Sequence, residues 1–185
     1  MNICIFPGTF NPIHIAHIKM AQFALQKYGF DKVIFIPAYI PPHKQVSSNL
    51  AQHRYNMVKL VCDTNSKFDI SDIEYNSENT SYTLITVQKI RELYNIKGRL
   101  NFIIGTDAFS KIRTWYKVDE LKNLVHFIVF PRGEDVIEPN DFKDFSYELA
   151  DADKTDISST EIRTAKKRET VKEVEEYIVK NRLYN

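Results

Sequence analysis

The sequence has little of what several specialised protein classes require. Its two cysteines, Cys4 and Cys62, have neither metal-ligand nor redox spacing. That excludes a disulfide scaffold and reads as two buried thiols in a reducing compartment. Basic and acidic residues number 25 and 24, so no excess of one sign draws the chain onto nucleic acid or an anionic membrane. A local basic cluster for a small anion stays open. No apolar run is long enough to span a bilayer. The opening MNICIFPGTF has no basic n-region and breaks at Pro7, unlike a secretion signal. Internal repeats and low-complexity linkers are missing, as are G-x-S-x-G, Walker and Cys–His motifs. The expectation is one domain over residues 1–185, cytoplasmic, with no nucleic-acid or membrane partner.

What is present is an alternation of short apolar runs and helical patterns. NICIF (2–6) and KVIFIP (32–37) read as buried strands, and residues 15–28 carry helical apolar spacing that stops at Gly29. A Pro- and Ser-containing loop follows at 38–49, then a helix over 51–64, an extended FDISDIE (68–74) and a helix over 83–94. RLNFIIGTDAF and NLVHFIVFPRG each read as a strand running into a turn. The acidic stretch 134–153 reads as a loop with one short strand, YELAD, and the end of the chain as two helices. This order predicts an α/β fold with an open, mostly parallel sheet and helices on both faces. Only five glycines occur, and Gly8, Gly105 and Gly133 each follow a predicted strand. Ligands of open α/β sheets bind beyond the carboxyl ends of strands, so these glycines suggest one shared site approached closely by backbone.

The residues around those glycines suit phosphate. In GTFNPIHIAH, Thr9 and Phe10 follow Gly8, and a helix start near Ile13 would set His14 and His17 on one face. A helix N-terminus offers free N–H groups and partial positive charge. Zinc is the poorer reading, because no third ligand is near. The competing reading of the pair is that one histidine caps or packs. Lys44, in PPHK, is either solvated or directed at a ligand, and Arg54 fits a surface or helix-pairing role better than a ligand role. Asp107, in GTDAF, could accept ribose hydroxyls or cap a helix, and Arg132, in FPRG, could stack on a base. Ser158, Ser159 and Thr160 open a helix with Arg163 one turn on, a second polyphosphate-friendly start beyond what a capping box alone explains. The set suits charge stabilisation on a phosphoryl group without a protein nucleophile.

GTFNPIHIAH together with ISSTEIR resembles the paired signature of HxGH-type nucleotidylyltransferases. PPHK, SYT, GTD, TWYK, FPRG and ISSTEIR occur in the order seen in bacterial nicotinate-nucleotide adenylyltransferases, a resemblance running from about residue 2 to 180. It implies a Rossmann-like fold and transfer of the adenylyl group of ATP to nicotinate mononucleotide, with Mg²⁺ held mainly through the ATP phosphates. By the same resemblance His14, His17, Lys44 and Arg163 bind or polarise the triphosphate, with help from Ser158 and Ser159. Gly8, Thr9 and Phe10 belong to the ATP site. Gly105 and Asp107 meet the ribose, and Arg132 lies over adenine. Thr83, Trp115 and Tyr116 match the nicotinate pocket, with Trp115 alternatively a core residue. No resident metal site is implied, and a homo-oligomer is left open.

Three positions depart from that pattern. Ala16 stands where Gly is usual between the histidines, Ile85 where Asp is frequent, and Asn11 where Asp is common. Ala16 is expected to change packing slightly, Ile85 bears on hydrogen bonding near the nicotinate pocket, and Asn11 keeps size while losing charge. Rival readings are a related adenylyltransferase for nicotinamide mononucleotide or phosphopantetheine, and a non-catalytic nucleotide-binding regulator.

Overall fold

The computed structural model describes residues 1–41, 50–75, 81–154, 159–164 and 169–184. In chain order these form β1 (Ile3–Gly8), α1 (Ile15–Tyr28), β2 (Lys32–Pro37), α2 (Ala51–Cys62), β3 (Phe68–Ile70), α3 (Thr83–Leu93), β4 (Leu100–Gly105), α4 (Thr106–Phe109), α5 (Val118–Leu124), β5 (Val125–Phe130), β6 (Tyr147–Leu149), α6 (Ser159–Arg163) and α7 (Lys172–Lys180). Short 3₁₀ turns occupy Ile112–Thr114 and Pro139–Phe142. The strands make one six-stranded sheet of order β3-β2-β1-β4-β5-β6, and every neighbouring pair is parallel. The expected open α/β architecture is therefore present, and the sheet is fully parallel among the described residues.

Alternation along each strand divides the core in two. Cys4 and Phe6 of β1 with Val33 and Phe35 of β2 face one layer, where they meet Met20, Ala21 and Ala24 of α1, Met57 and Val58 of α2 and Val174 of α7. Ile3, Ile5, Ile34 and Ile36 face the other, with Leu84, Val87 and Ile90 of α3 and Leu121 of α5. Strands covered on both sides read as continuous apolar runs, which is why KVIFIP and FIIG show no polar alternation. Gly29 ends α1 with φ 65°, a left-handed conformation that glycine adopts without a Cβ penalty.

Several sequence expectations change here. Only Phe68–Ile70 of the expected extended segment pairs in the sheet; residues 73–75 turn. Helix α5 was not foreseen, although Asp119 and Glu120 in its first turn and Lys122 in its last carry the charge order of a helix. Gly133 has φ 64° and serves the turn after β5, where an added Cβ would touch nothing. It does not line the cavity at the ends of β1 and β4.

Arg54 is neither a surface residue nor a ligand group. It is fully buried under the end of β2, where Nη2 donates to the carbonyls of Ala38 (2.8 Å) and Tyr39 (2.9 Å). The guanidinium thereby shapes the chain as it leaves the sheet. Arg54→Met, which keeps bulk but removes the donors, leaves two acceptors unsatisfied and is expected to lower unfolding stability by about 2–5 kcal/mol. A denaturant titration that finds equal midpoints for the two proteins would overturn this account.

Candidate active site

Strand β1 lies between β2 and β4, and the chain leaves it in one direction while β4 is reached from the other. The carboxyl ends of β1 and β4 therefore open on an uncovered crevice. A cavity of about 940 Å³ occupies that crevice. Its wall includes Gly8, Thr9, Phe10, His17, Thr83, Gly105, Asp107, Trp115, Tyr116, Arg132, Ser159 and Arg163, so twelve positions singled out in the sequence converge. Lys44 and Ser158 lie outside the described residues. His14 is the exception among the described positions: it is fully buried and takes no part in the wall.

The first wall is the turn from β1 into α1. Gly8 has no room for a side chain, since an added Cβ would lie 2.7 Å from the Phe10 ring. Phe10 holds φ 47°, so the turn bends sharply over the strand end. Helix α1 begins at Ile15, where the apolar spacing of 15–28 begins, and not near Ile13, which makes His14 its N-cap and His17 its third residue. The two rings lie against each other with centroids 3.7 Å apart. The His14 backbone N–H donates to His17 Nδ1 at 3.3 Å. That bond requires an unprotonated Nδ1, so a neutral His17 carries its proton on Nε2. The Phe6 and Phe10 rings pack edge-on against His17. Both ring nitrogens of His14 are buried without a hydrogen-bond partner among the described residues. Burial pushes the His14 pKa down to about 3; the positive charge of Arg132 adds to this and Glu161 opposes it. His14 is thus a neutral ring backing His17.

The second wall is at β4 and β5. A Cβ on Gly105 would lie 2.5 Å from Asp107 Oδ1, so only glycine lets that carboxylate fold back over the strand end. Thr106, unnoticed in the sequence, fixes the neighbouring strand: its hydroxyl donates to the Arg132 carbonyl (2.7 Å) and accepts from the Arg132 N–H (2.9 Å). Arg132 Nε stands 3.8 Å from Asp107 Oδ2. The third wall is α6, where Ser159 donates to the Pro12 carbonyl (3.1 Å) and Arg163 Nη1 to the Asn11 carbonyl (2.7 Å).

The fourth wall joins the start of α3 to residues 115–116. Tyr82 and Tyr116 stack at 4.5 Å, and Trp115 is half-buried against Phe102 at 6.3 Å. Trp115 is thus both a core edge and a cavity face. Glu74, also missed in the sequence, lines this side while buried. Burial pushes its pKa up, against the hydroxyls of Thr86 and Ser81 and the Tyr39 N–H, which favour the ionised form. Ile85 is 41% exposed and does not line the cavity, so this departure leaves the wall itself untouched. Ala16 is buried within α1.

A doubly covered parallel sheet with an anion-ready helix start at its topological switch point is the build of a nucleotide-binding α/β enzyme. Residues 5–165 match the model of the cytidylyltransferase-like family. A protein of Caldicellulosiruptor saccharolyticus named "Probable nicotinate-nucleotide adenylyltransferase" is 37% identical over 198 aligned positions, spanning 100% of this chain and 99% of that protein. A protein of Fusobacterium nucleatum with the same name is 37% identical over 166 positions, 88% of this chain and 86% of that protein. The chain belongs to the cytidylyltransferase-like family, among the nicotinate-nucleotide adenylyltransferases. The solved Plasmodium falciparum nicotinic acid mononucleotide adenylyltransferase complexed with NaAD shares the fold, with TM-score 0.83 and 24% identity over 99% of this chain and 97% of that one.

The buried neutral His14 has a consequence for stability. Unfolded, it takes a proton near its ordinary pKa of 6.5; folded, it resists until about pH 3. Between those values the unfolded state binds more protons, so His14 lowers stability progressively as pH falls, with a limiting slope of about 1.4 kcal/mol per pH unit. His14→Gln removes this contribution. The stability difference between wild type and variant, followed by denaturant titration from pH 7 to pH 4, should move steadily in favour of the variant on acidification. Parallel curves would refute it.

Proposed function

We propose that the protein transfers the adenylyl group of ATP to nicotinate mononucleotide, giving deamido-NAD and pyrophosphate in the biosynthesis of NAD. One observation carries the reading: a single cavity joins the His17 turn, the Gly105–Asp107 corner, the α6 start and the Thr83–Trp115–Tyr116 wall. A cavity of this extent supports a reading in which a donor triphosphate and a second nucleotide bind side by side.

The chemistry needs little from the protein beyond position and charge. An acceptor phosphate oxygen attacks the α-phosphorus of ATP in line. The new P–O bond forms as the bond to the β-phosphate bridging oxygen breaks, and that electron pair leaves with pyrophosphate. The acceptor phosphate is already an anion near neutral pH, so no general base is required. His17 donates from Nε2 to the oxygens on which charge builds. Arg163 and Lys44 offset charge on the leaving group, with help from Ser158 and Ser159. His14 serves by packing behind His17, where the expectation had both imidazoles facing phosphate. Thr9 and Phe10 border the triphosphate, Asp107 takes ribose hydroxyls and Arg132 covers adenine. Trp115 stacks on the pyridine, with Thr83 and the Tyr116 backbone beside its carboxylate.

Mg²⁺ fits as an ion that arrives on the triphosphate. Among the described residues no three His, Cys, Asp or Glu side chains cluster to hold a metal. The cavity wall supplies carboxylates singly, at Asp107 and Glu74, a donor set for an ion that keeps phosphate and water ligands. When bound it neutralises charge on phosphate oxygens. No described helix is long and apolar enough to cross a membrane, and a cytoplasmic place suits a reaction on these soluble nucleotides.

The deciding assay is pyrophosphate release from ATP and Mg²⁺ with nicotinate mononucleotide, its amide or phosphopantetheine as acceptor. Strong preference for the acid is expected. Preference for the amide would overturn the pocket assignment, activity with phosphopantetheine alone would move the chain to a sister activity, and silence would support a regulator. His17→Ala should cut turnover at least about a hundredfold, the scale of losing one donor to developing phosphoryl charge, with ATP binding changed far less. Trp115→Ala should raise KM for the pyridine nucleotide and leave that for ATP in place; equal effects on both would mark it as a core residue only.

A further inference from the structure

The turn over 9–14 supplies Thr9, Phe10 and Asn11 to the cavity, yet it has no ladder of its own to hold it. Its backbone groups are met by residues far along the chain. The Asn11 carbonyl accepts from Arg163, the Pro12 carbonyl from Ser159, and the Ile13 carbonyl from the Thr170 hydroxyl at 2.8 Å, while the Ile15 N–H donates to the Glu169 carbonyl at 3.0 Å. Asn11 is the point where two such bonds meet. Arg163 takes its carbonyl at 2.7 Å, and the Tyr184 hydroxyl donates to its side-chain Oδ1 at 2.6 Å.

Tyr184 reaches that point from behind the cavity. Its ring packs against the core layer under α1 and α2, and its neighbour Leu183 is buried in the same layer. Tyr184 is not among the residues that line the cavity. Burial pushes the phenol up to about 12, although Arg163 and Arg54 pull it the other way, so the hydroxyl stays a donor at neutral pH. Asn11 is itself buried to 8% exposure and borders the cavity. The carboxamide oxygen gives Tyr184 its acceptor without adding an anion beside Arg163, a use for asparagine at a position where the family pattern commonly has aspartate.

We propose that Tyr184 is a positioning residue for the triphosphate site: by holding the Asn11 side chain it fixes the carbonyl to which the Arg163 guanidinium is anchored. The inference rests on the adenylyl-transfer reading for its kinetic consequence. The chain of contacts is direct. Tyr184 fixes Asn11, Asn11 fixes one nitrogen of Arg163, and the Thr160 hydroxyl fixes the other at 3.0 Å. Without the phenolic hydroxyl the Asn11 side chain loses its tether, and the backbone that presents the Asn11 carbonyl to Arg163 loses one of its restraints.

The test uses Tyr184→Phe, which keeps the ring and its packing. We expect kcat at saturating substrates to fall about tenfold, with KM for nicotinate mononucleotide within twofold of wild type. Affinity for a non-hydrolysable ATP analogue, measured calorimetrically without turnover, should weaken about fivefold or more. Tyr177→Phe is the control. It removes the hydroxyl that links α7 to His53 and Asn56 of α2, both at 2.9 Å, without touching the turn. It is expected to lower the thermal midpoint as much as Tyr184→Phe does while leaving kcat and analogue affinity unchanged. Adding Tyr184→Phe to Asn11→Ala should cost no further activity or affinity. Unchanged analogue affinity in Tyr184→Phe, or equal losses in both tyrosine variants, would overturn the proposal. Were wild type to release no pyrophosphate with any acceptor, the adenylyl-transfer reading would fail, and the analogue affinities would still decide the role of Tyr184.

Discussion

The site depends on β1 being paired in parallel with both β2 and β4. The strand order reverses about β1, running to β2 and β3 on one side and to β4, β5 and β6 on the other. Right-handed crossovers in opposite directions send the connections to opposite faces, which leaves a crevice at the seam between β1 and β4. Two glycines stand at that seam for different steric reasons. Gly8 yields to the Phe10 ring folded above it, and Gly105 yields to the Asp107 carboxylate. A methyl group would displace the Phe10 ring at the first place and the end of the Asp107 side chain at the second.

The cost of keeping the seam open shows in the polar atoms beside it. Buried polar groups are almost always hydrogen-bonded, and each exception is expensive. Among the described residues the exceptions include both ring nitrogens of His14, Asp107 Oδ1 and Glu74 Oε2. Asp107 and Glu74 lie in the cavity wall, and His14 lies directly behind it against His17. The unpaired carboxylate oxygens of Asp107 and Glu74 are unfavourable in the empty protein and can accept from a hydroxyl-rich ligand, while the unpaired His14 ring remains a cost of backing His17. The strongly apolar layers on both faces of the sheet supply the stability that tolerates it.

What was legible in the sequence was whatever depends on neighbours in the chain. Helix α1 matched its expected span, as did β2, because period and stop signals are local. Glycines at strand ends pointed to the crevice for Gly8 and Gly105; Gly133 followed the same pattern, but its role is conformational. Arg54 misled because a helical arginine ordinarily belongs to the solvent face, and only the path of residues 38–39 over α2 gives it a buried task. Glu74 and Thr106 carried no signal at all. Their partners, Thr86 and Arg132, lie 12 and 26 residues away, and no periodicity encodes such pairs. The start of α1 was less legible than its span: the helix opens at Ile15 and not near Ile13, so His14 is its buried N-cap, and no local signal in the sequence shows that burial.

The turn after β1 shows why the two signature motifs of this chain cannot work separately. Backbone carbonyls in an irregular, buried turn need donors from somewhere, and water is largely excluded here. The donors come from Ser159, Arg163 and Thr170, with Tyr184 adding one to the Asn11 side chain. These four residues follow the turn by 147 to 173 positions in the chain. The turn that presents His17 is therefore complete only when α6 and the segment around α7 have docked. Arg163 belongs to both tasks, since the guanidinium that borders the cavity also closes the turn. The same bond that builds the site thus sets one of its charges in place, and the geometry of the cavity and its electrostatics are settled in a single step of assembly.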